Sequence, residues 1–425
     1  MSNELRNRVA EDPKREMELI LNSINYSKSN SKFYRNLFAE LKINWDDFSL
    51  NDFRGLPFTT KQDISENNLE FLAVGIDKVA DFSTTSGTSG APITIFSTKT
   101  DLEILADNEA YSFGLVGANS NDVFQLMTSM DKQFMAGLAY YLGAQKLNSG
   151  IIRIGPGVPS LQWKSVLLYR PTILIGVPSF VVALMEFARA NNIDYSKCSV
   201  KKIICIGEPI RDDNFQLNII GKRITQDWNV ELFSTYASTE MSVAFTECEM
   251  HLGNHLNDDL LFLEVLDENG IESEEGEVGE VVITTLKREG MPLIRYRTGD
   301  LTRIYREPCK CGRNTPRIGR IIGRLNQMIK FKGTTIFPGA IFDVLDNLPR
   351  VWLYKVEVEK DNLENDKIII YLQQEIQNTT DFEILVEACK SRLRVLPVFV
   401  FESQDSIYNM IYRKDIRKPE KISFK

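Results

Sequence analysis

Short apolar segments that alternate with helical segments place the strongest constraint on the fold of this chain. Residues 173–178 and 202–207 are rich in β-branched side chains, which is typical of strands buried on both faces of a parallel sheet. Similar strands are predicted at 122–127 and 150–154, and a helix is predicted between them at 137–147. This alternation predicts an α/β fold, in which ligands collect beyond the carboxyl ends of the strands.

The second half of the sequence predicts a different arrangement. Strands at 260–266, 279–285 and 300–305, with a hairpin turn at 267–270, indicate an antiparallel β subdomain. A further set of strands and helices after residue 326 has the size and order of a small α+β unit. We therefore expect a large multi-layer α/β domain over residues 1–323 and a small, mobile α+β lid over 324–425, with the hinge near Arg324.

Length and charge narrow the classes of protein and of partner. A chain of 425 residues exceeds what one hydrophobic core usually supports, so at least two domains are expected. The net charge of −8 argues against nucleic acid as a partner. The N-terminal segment is polar, and no apolar run reaches 18 residues, so we expect no membrane span and a cytoplasmic location.

Residues 83–90, Ser-Thr-Thr-Ser-Gly-Thr-Ser-Gly, form a loop suited to phosphate. Glycine lets backbone N–H groups approach an anion closely, and the hydroxyls add donors that rotate to fit. The loop is not a P-loop, because the terminal Gly-Lys-Ser/Thr of that motif is missing. Taken alone, such a run is more often a flexible turn.

Three later motifs follow this loop in a fixed order. They are Tyr236-Ala237-Ser238-Thr239-Glu240, Tyr296-Arg297-Thr298-Gly299-Asp300-Leu301 and Gly319-Arg320-Ile321-Ile322-Gly323-Arg324. Together with the Ser/Thr/Gly loop they resemble the core motifs of the adenylate-forming superfamily of acyl- and aryl-CoA ligases and related enzymes. The resemblance is greatest to the phenylacetate–CoA ligase branch, because Gly207-Glu208-Pro209 and the Cys309–Arg313 segment are similar to segments of that branch.

The resemblance implies a site for ATP and Mg²⁺. By this comparison Thr239 contacts the α-phosphate, Glu240 helps to hold Mg²⁺, Asp300 accepts both ribose hydroxyls, and Arg324 reaches the ribose and phosphate. The β- and γ-phosphates would be held by Ser86, Gly87, Thr88, Ser89 and Gly90, and the remaining nucleotide-binding positions are Gly207, Glu208, Pro209, Tyr236, Ala237 and Ser238. The alternatives are an Asx turn at Asp300, a helix cap at Glu240 and a structural ion pair at Arg324.

The superfamily also uses a late lysine that contacts the acyl carboxylate. The Lys-x-x-Arg spacing favours Lys414, although Arg413 stands where a glycine is usual, and Lys418 and Lys421 remain alternatives. The hinge departs from the branch as well, since Asn326 stands where Asp is common.

A second candidate site combines cysteine with histidine. The chain has six cysteines and two histidines, and both histidines lie within seven residues of Cys248. Cys309 and Cys311 supply a two-residue arm, and a structural zinc ion requires four nitrogen or sulfur ligands. The resemblance favours His255 over His251 as the fourth ligand, because His255 follows a Gly-x pair as in the zinc site of some members of the branch. The alternative is a set of reduced cysteines with surface histidines.

These observations predict an ATP-dependent acid ligase that forms an acyl-adenylate and pyrophosphate and then a thioester with coenzyme A. Lys414, Thr239 and Glu240 are its predicted catalytic residues. Residues 129–141 are aromatic and apolar, which suits a pocket for an aromatic or aliphatic carboxylic acid. The alternatives are transfer to a carrier-protein thiol or an amine, and a nucleotide-binding protein without catalysis. Whether the chain forms a homodimer is left open.

Overall fold

The computed structural model describes residues 13–85, 92–331, 334–348, 350–351, 353–361, 366–411 and 420–425. The predicted phosphate-loop residues Ser86, Gly87, Thr88, Ser89 and Gly90 and the tail lysines Lys414 and Lys418 lie outside the described residues. The chain divides into two compact units, Met1–Thr298 with Thr302–Ile321, and Gly299–Leu301 with Ile322–Lys425.

The first unit begins with four helices, of which the last three are short and have side-chain caps. They are α1 (Pro13–Asn30), α2 (Lys32–Ala39), α3 (Leu50–Arg54) and α4 (Lys61–Asn67). Ser49 with Asp52, and Thr60 with Asp63, form capping boxes that satisfy backbone N–H groups at the starts of α3 and α4. These caps fix where each helix begins.

An antiparallel hairpin and a long helix come next. Strands β1 (Val79–Thr84) and β2 (Thr94–Thr98) pair with each other, and α5 (Lys99–Leu115) follows directly. Thr98 and Asp101 form a third capping box at the start of α5. Ser83 and Thr84, predicted to belong to the phosphate loop, are the last residues of β1. Thr85 N then donates to Ile93 O at 3.0 Å.

The parallel half of the main sheet confirms the predicted α/β class. Its strands are β3 (Val123–Leu126), β4 (Gly150–Arg153), β5 (Ile173–Gly176), β6 (Lys202–Cys205) and β7 (Glu231–Ala237). Its helices are α6 (Met135–Lys146), α7 (Pro159–Tyr169), α8 (Pro178–Ala190) and α9 (Ile219–Asp227). The spatial order is β7-β6-β5-β3-β4, with all neighbours parallel, so the carboxyl ends of these strands share one edge.

The sheet continues beyond β7 as antiparallel strands. These are β8 (Ala244–Glu247), β9 (Asn254–His255), β10 (Leu261–Leu266), β11 (Val278–Thr285), β12 (Tyr296–Tyr305) and β13 (Arg317–Ile318), in the order β10-β11-β12-β13-β9-β8. The predicted turn at 267–270 is present, because Gly270 N donates to Asp267 O, and a bridge between Leu266 and Glu272 follows it. β11 begins at Val278, one residue before the predicted strand at 279–285.

Buried polar contacts join the N-terminal helices to this antiparallel region. The hydroxyl of Tyr34 in α2 accepts from Ile294 N at 2.8 Å and lies 3.1 Å from Thr59 Oγ1. Arg295 donates to both carboxylate oxygens of Glu264, at 2.8 and 3.1 Å, and to Leu56 O at 2.7 Å. Around these contacts the largest buried hydrophobic cluster extends from Ile20 to Ile318.

The second unit is a small α+β structure. It contains β14 (Gly323–Arg324), β15 (Ile329–Phe331), β16 (Thr334–Ile336), α10 (Pro338–Asp346), β17 (Tyr354–Glu359), β18 (Lys367–Gln373), α11 (Thr380–Ala388), β19 (Val398–Glu402), α12 (Gln404–Ile411) and β20 (Ile422–Phe424). Its main sheet has the order β19-β18-β17-β20 and covers its own apolar cluster. Helix α11 ends at Ala388, and the chain continues as a π-helical turn over Cys389–Leu393. Among the described residues, no helix has the length and apolar character that crossing a membrane requires.

Candidate nucleotide and metal sites

The segments predicted to bind nucleotide leave the carboxyl edge of neighbouring strands. Gly207 follows β6 and Ser238 follows β7, and these strands pair in parallel with Ile204 opposite Phe233. The segment 207–209 and the segment 238–240 therefore emerge side by side. Gly207 has φ of +76°, a conformation that glycine adopts without strain and that turns the chain sharply at the strand end.

A tight turn presents Thr239 and Glu240. Ser238 Oγ accepts from Met241 N at 3.2 Å, and Ser238 O accepts from Ser242 N at 3.2 Å. Glu240 Oε1 accepts a hydrogen bond from the Tyr296 hydroxyl at 3.3 Å. Ser238 thus shapes the turn, while Thr239 and Glu240 stay partly exposed on it. The chain continues through this turn into β8, so the alternative of a helix cap at Glu240 does not describe it.

Two contacts connect the other predicted segments to this edge. Ser242 Oγ lies 3.4 Å from Met135 Sδ at the start of α6, which belongs to the segment predicted to line the acyl pocket. Thr84 N, at the end of β1, donates to Gln133 O at 2.9 Å. Tyr140, in the same segment, is buried against Phe113 and so belongs to the hydrophobic core.

Glu208 contacts the N-terminus of a helix. Its Oε2 accepts from Ser179 N at 2.9 Å and its Oε1 accepts from Ser179 Oγ at 2.8 Å, in the first turn of α8. A carboxylate there satisfies N–H groups that have no partner within the helix and interacts favourably with the helix dipole. Glu208 therefore has a structural role: it connects the segment after β6 to the first turn of α8.

Asp300 and Arg324 meet within the second unit. They are cross-strand partners in the pairing of β12 with β14, and Arg324 Nε donates to Asp300 Oδ1 at 2.7 Å. The Asp300 side chain is 3 % exposed, whereas the Arg324 side chain is 39 % exposed. Gly323 beside Arg324 allows the close packing, because a Cβ there would lie 2.5 Å from the Phe337 ring. Arg324 therefore forms the structural ion pair that the sequence offered as an alternative to nucleotide binding.

Cys248, His255, Cys309 and Cys311 form a compact cluster in the first unit. One ligand atom from each lies within 4.8 Å of the others. The distances are 3.8 Å between the Sγ atoms of Cys248 and Cys309, and 3.5 Å between Cys311 Sγ and His255 Nε2. With Zn–S near 2.3 Å and Zn–N near 2.0 Å, a tetrahedral zinc ion gives edges of about 3.8 and about 3.5 Å. The residues present fit this ion.

Local backbone geometry explains why these side chains meet. His255 in β9 is cross-strand partner to Thr246 in β8 and to Arg317 in β13. Gly253 turns the chain into β9 with φ of +101°, and a Cβ there would lie 2.9 Å from Ile318 O. Gly312, with φ of +86°, donates its N–H to Cys309 O and closes the turn that carries both thiols. The turn carries Cys309 and Cys311, β9 carries His255, and Cys248 follows directly after β8.

Thr315 contacts the cluster, and the sequence did not identify it. Its Oγ1 lies 3.0 Å from His255 Nδ1, and both residues are buried. When Nε2 of an imidazole is a ligand, a partner at Nδ1 fixes the tautomer and the ring orientation. The signal that could have found Thr315 is its place four residues after Cys311, in the segment that runs back to β13.

The cluster favours a thiolate at Cys311. Hydrogen bonds from Cys248 and His255 hold the pKa of the Cys311 thiol well below its usual value, whereas burial raises the pKa of Cys309. His251 lies elsewhere: Nδ1 and Nε2 are 3.3 Å from Glu247 Oε2 and from Glu231 Oε1.

The alternative lysine Lys421 is engaged inside the second unit. Its carbonyl accepts from Val356 N at 2.8 Å, and its ammonium lies 5.1 Å from the centre of the Tyr354 ring. These contacts hold Lys421 against β17.

Comparison with known proteins gives the family. A model of the AMP-binding enzyme family matches residues 36–286, more than half of the chain. The chain belongs to this family. This AMP-binding enzyme is 31 % identical to the phenylacetate–coenzyme A ligase of Thermus thermophilus over 325 residues, which cover 75 % of this chain and 72 % of the relative. It is 27 % identical to the Pseudomonas putida ligase of the same name over 371 residues, 85 % of this chain and 82 % of that one.

Solved structures agree with the fold of this AMP-binding enzyme. A 2-hydroxyisobutyryl-CoA ligase in the postadenylation state, in complex with R3-HIB-AMP, superposes with a TM-score of 0.83 at 21 % identity and covers 98 % of this chain and 90 % of that one. The predicted resemblance, the α/β fold class and the class of AMP-forming acid–thiol ligase are confirmed.

Proposed function

We propose that the protein converts a carboxylic acid to its CoA thioester in two steps. In the first, a carboxylate oxygen attacks the α-phosphorus of ATP, giving an acyl-adenylate and releasing pyrophosphate. In the second, the thiol of coenzyme A attacks the acyl carbonyl, giving the thioester and AMP. The observation that carries the proposal is the Thr239–Glu240 turn at the carboxyl edge of the sheet in a chain of this family.

The first step joins two anions, so its barrier is largely electrostatic. We assign Thr239 to donate its hydroxyl to the α-phosphate and Glu240, oriented by the Tyr296 hydroxyl, to hold Mg²⁺. Mg²⁺ neutralises charge on the phosphates when it is bound. Ser86, Gly87, Thr88, Ser89 and Gly90 would hold the β- and γ-phosphates.

Asp300 and Arg324 are assigned to the ribose. A carboxylate suits two neighbouring hydroxyls, and the ion pair with Arg324 orients the buried Asp300 carboxylate. We further propose that residues 1–323 are the adenylation core and that 324–425 act as a lid that supplies Lys414 to the acyl carboxylate.

Pyrophosphate exchange tests the proposed function. With the correct acid, labelled pyrophosphate should enter ATP, and Thr239→Val and Glu240→Gln should each reduce that exchange by about 100-fold or more. Asp46→Asn, on an exposed 3₁₀ turn of the first unit, is a matched control that should retain exchange. Absence of exchange across a panel of aromatic and aliphatic acids would favour a nucleotide-binding protein without catalysis, which Asn326 and Arg413 motivate.

The acceptor needs a separate measurement. Preformed acyl-adenylate should yield AMP when coenzyme A is added. Release of AMP only with a carrier-protein thiol or an amine would keep the first step of the proposal and replace its second.

We also propose one structural Zn²⁺ bound by Cys248, His255, Cys309 and Cys311. Four protein ligands complete a tetrahedral site, so the ion would stabilise the fold and leave no open position for substrate. Elemental analysis of protein grown with adequate metal should find about one zinc per chain. Cys309→Ser should lower both the zinc content and the melting temperature, and a zinc-free wild-type protein would exclude the site.

A further inference from the structure

Helix α7 exposes an unusual number of large apolar side chains. Val158, just before the helix, and Leu161, Leu167, Leu168 and Tyr169 are between 45 and 62 % exposed. Contiguous exposed apolar groups on a soluble protein typically mark a surface that binds a partner or a membrane.

The inner face of α7 already has its partners. Trp163 is buried against Trp228 and donates from Nε1 to Leu184 O at 2.8 Å. Gln162 donates to Gly155 O at 2.7 Å and accepts from Gln125 Nε2 at 2.9 Å. These contacts fix the inner face of α7 against the sheet and α8. The exposed leucines therefore cannot become buried by a rotation of the helix about its axis. Large apolar side chains therefore lie on the exposed side of α7 in addition to Trp163 and Val166, which are already buried.

The sequence segment that contains this helix differs in charge from the whole chain. The protein carries a net charge of −8, yet no Asp or Glu occurs between Asp131 and Glu186. The same stretch contains Lys132, Lys146, Arg153, Lys164 and Arg170. Lys146 pairs with Asp107, but Lys164 lies on the exposed side of α7 and Arg170 is exposed directly after it. The apolar face is therefore combined with positive charge.

We propose that α7 docks on an anionic lipid surface. Leu161 and Leu168 are seven positions apart and so lie on one side of the helix, where they can enter the boundary between head groups and acyl chains. Lys164 lies between them in sequence and on the same exposed side, and its long stem lets the ammonium reach lipid phosphates while the leucines stay buried. Tyr169 has the amphipathic character that suits this interface. A short single helix gives reversible, peripheral binding.

A second copy of the chain fits this face less well. A two-fold axis through the middle of α7 would bring Lys164 next to the same lysine of the other copy. The segment 132–185 contains no carboxylate, so the contact at this axis would place the two lysines of like charge together. Lipid phosphates supply the missing negative charge.

Flotation with vesicles tests the proposal. The protein should float with phosphatidylcholine vesicles that contain phosphatidylglycerol, should bind pure phosphatidylcholine weakly, and should lose binding as salt is raised. Lys164→Gln should lower the partition coefficient about five-fold, from about 1 kcal/mol per basic residue at the surface. The double variant Leu161→Ser, Leu168→Ser should abolish flotation.

Matched variants at distant exposed positions control for general effects. Lys222→Gln on α9 and Leu69→Ser, in an exposed 3₁₀ turn, should float like the wild type, and all variants should keep the wild-type melting temperature and pyrophosphate exchange. Absence of flotation, or equal loss in the controls, overturns the proposal. A dimer in light scattering that only the α7 variants dissociate assigns the face to a second copy instead, and binding that resists salt and does not need anionic lipid also overturns it.

Discussion

The hydroxyl of Thr315 shows how one side chain can set the properties of a site it does not enter. It lies 3.0 Å from His255 Nδ1 and leaves Nε2 facing Cys311. Thr315→Val keeps the shape and removes the hydrogen bond. We expect zinc affinity to fall about 10- to 100-fold, since partners of metal-ligating histidines carry effects of this size. Competition with a chromogenic chelator measures the change.

Histidine variants distinguish this effect from general damage. His255→Gln should lose zinc, whereas His251→Gln should retain it, because His251 is bonded to Glu247 and Glu231 outside the cluster. Equal zinc affinity in Thr315→Val and the wild type would show that the tautomer is fixed by other groups.

A second prediction for a single residue concerns Asp300. Asp300→Ala removes a buried acceptor that we assign to the ribose, and each lost hydrogen bond costs about 1–3 kcal/mol. The KM for ATP should therefore rise by about five- to 150-fold. Steady-state kinetics with ATP as the varied substrate measure it, and Asp300→Asn, which keeps one carbonyl acceptor, should lie between. An unchanged KM in both variants would limit Asp300 to its ion pair with Arg324.

At the scale of elements, the stability of helix α8 depends on an N-terminal cap from a residue outside the helix. Glu208, after β6, accepts from the backbone and the hydroxyl of Ser179. Glu208→Ala should lower the free energy of unfolding by about 1–2 kcal/mol, as loss of an N-terminal cap does. Urea denaturation measures this quantity.

The same variant separates two roles of Glu208. A loss of stability with an unchanged KM for ATP means that Glu208 only caps α8. A rise in KM beyond what Ser179→Ala produces would keep Glu208 among the residues that contact the nucleotide.

At the scale of the whole molecule, one buried carboxyl makes stability depend on pH. Glu109 in α5 is 3 % exposed, and burial raises the pKa of its carboxyl from 4.5 to about 8. The folded protein therefore holds this proton between pH 4.5 and 8, whereas the unfolded chain releases it. The stability is greatest below the unfolded pKa and should fall by about 1.4 kcal/mol per pH unit as pH rises through this window.

Glu109→Gln should remove that dependence and stabilise the protein at pH 8 by an amount on the order of a few kcal/mol. Denaturant unfolding at pH 5 to 8 measures it, with Glu103→Gln, exposed on the same helix, as the matched control. Parallel pH profiles in the Glu109 variant and the wild type would contradict the prediction.

Local patterns predicted the elements well where the chain follows one strong signal. The β-branched runs at β5 and β6 and the helix α6 were placed within about two residues, because burial on both faces requires apolar residues in order. The turn at 267–270 and the strand at 279–285 were also placed correctly, since β11 begins at Val278. The strand predicted at 300–305 was too short, because β12 begins at Tyr296.

The sequence by itself determined the family, the α/β class and the residue types of both candidate sites, because the order of motifs and the ligand chemistry of side chains are properties of the sequence. Only the tertiary structure decided that Glu208 caps α8, that Asp300 pairs with Arg324, that His255 and not His251 joins the three cysteines, and that Thr315 orients it. The physical reason is that strand register and helix packing bring the residues of each contact together. The energy of a contact depends on the distance between its atoms in space, and the spacing of residues along the chain does not fix that distance.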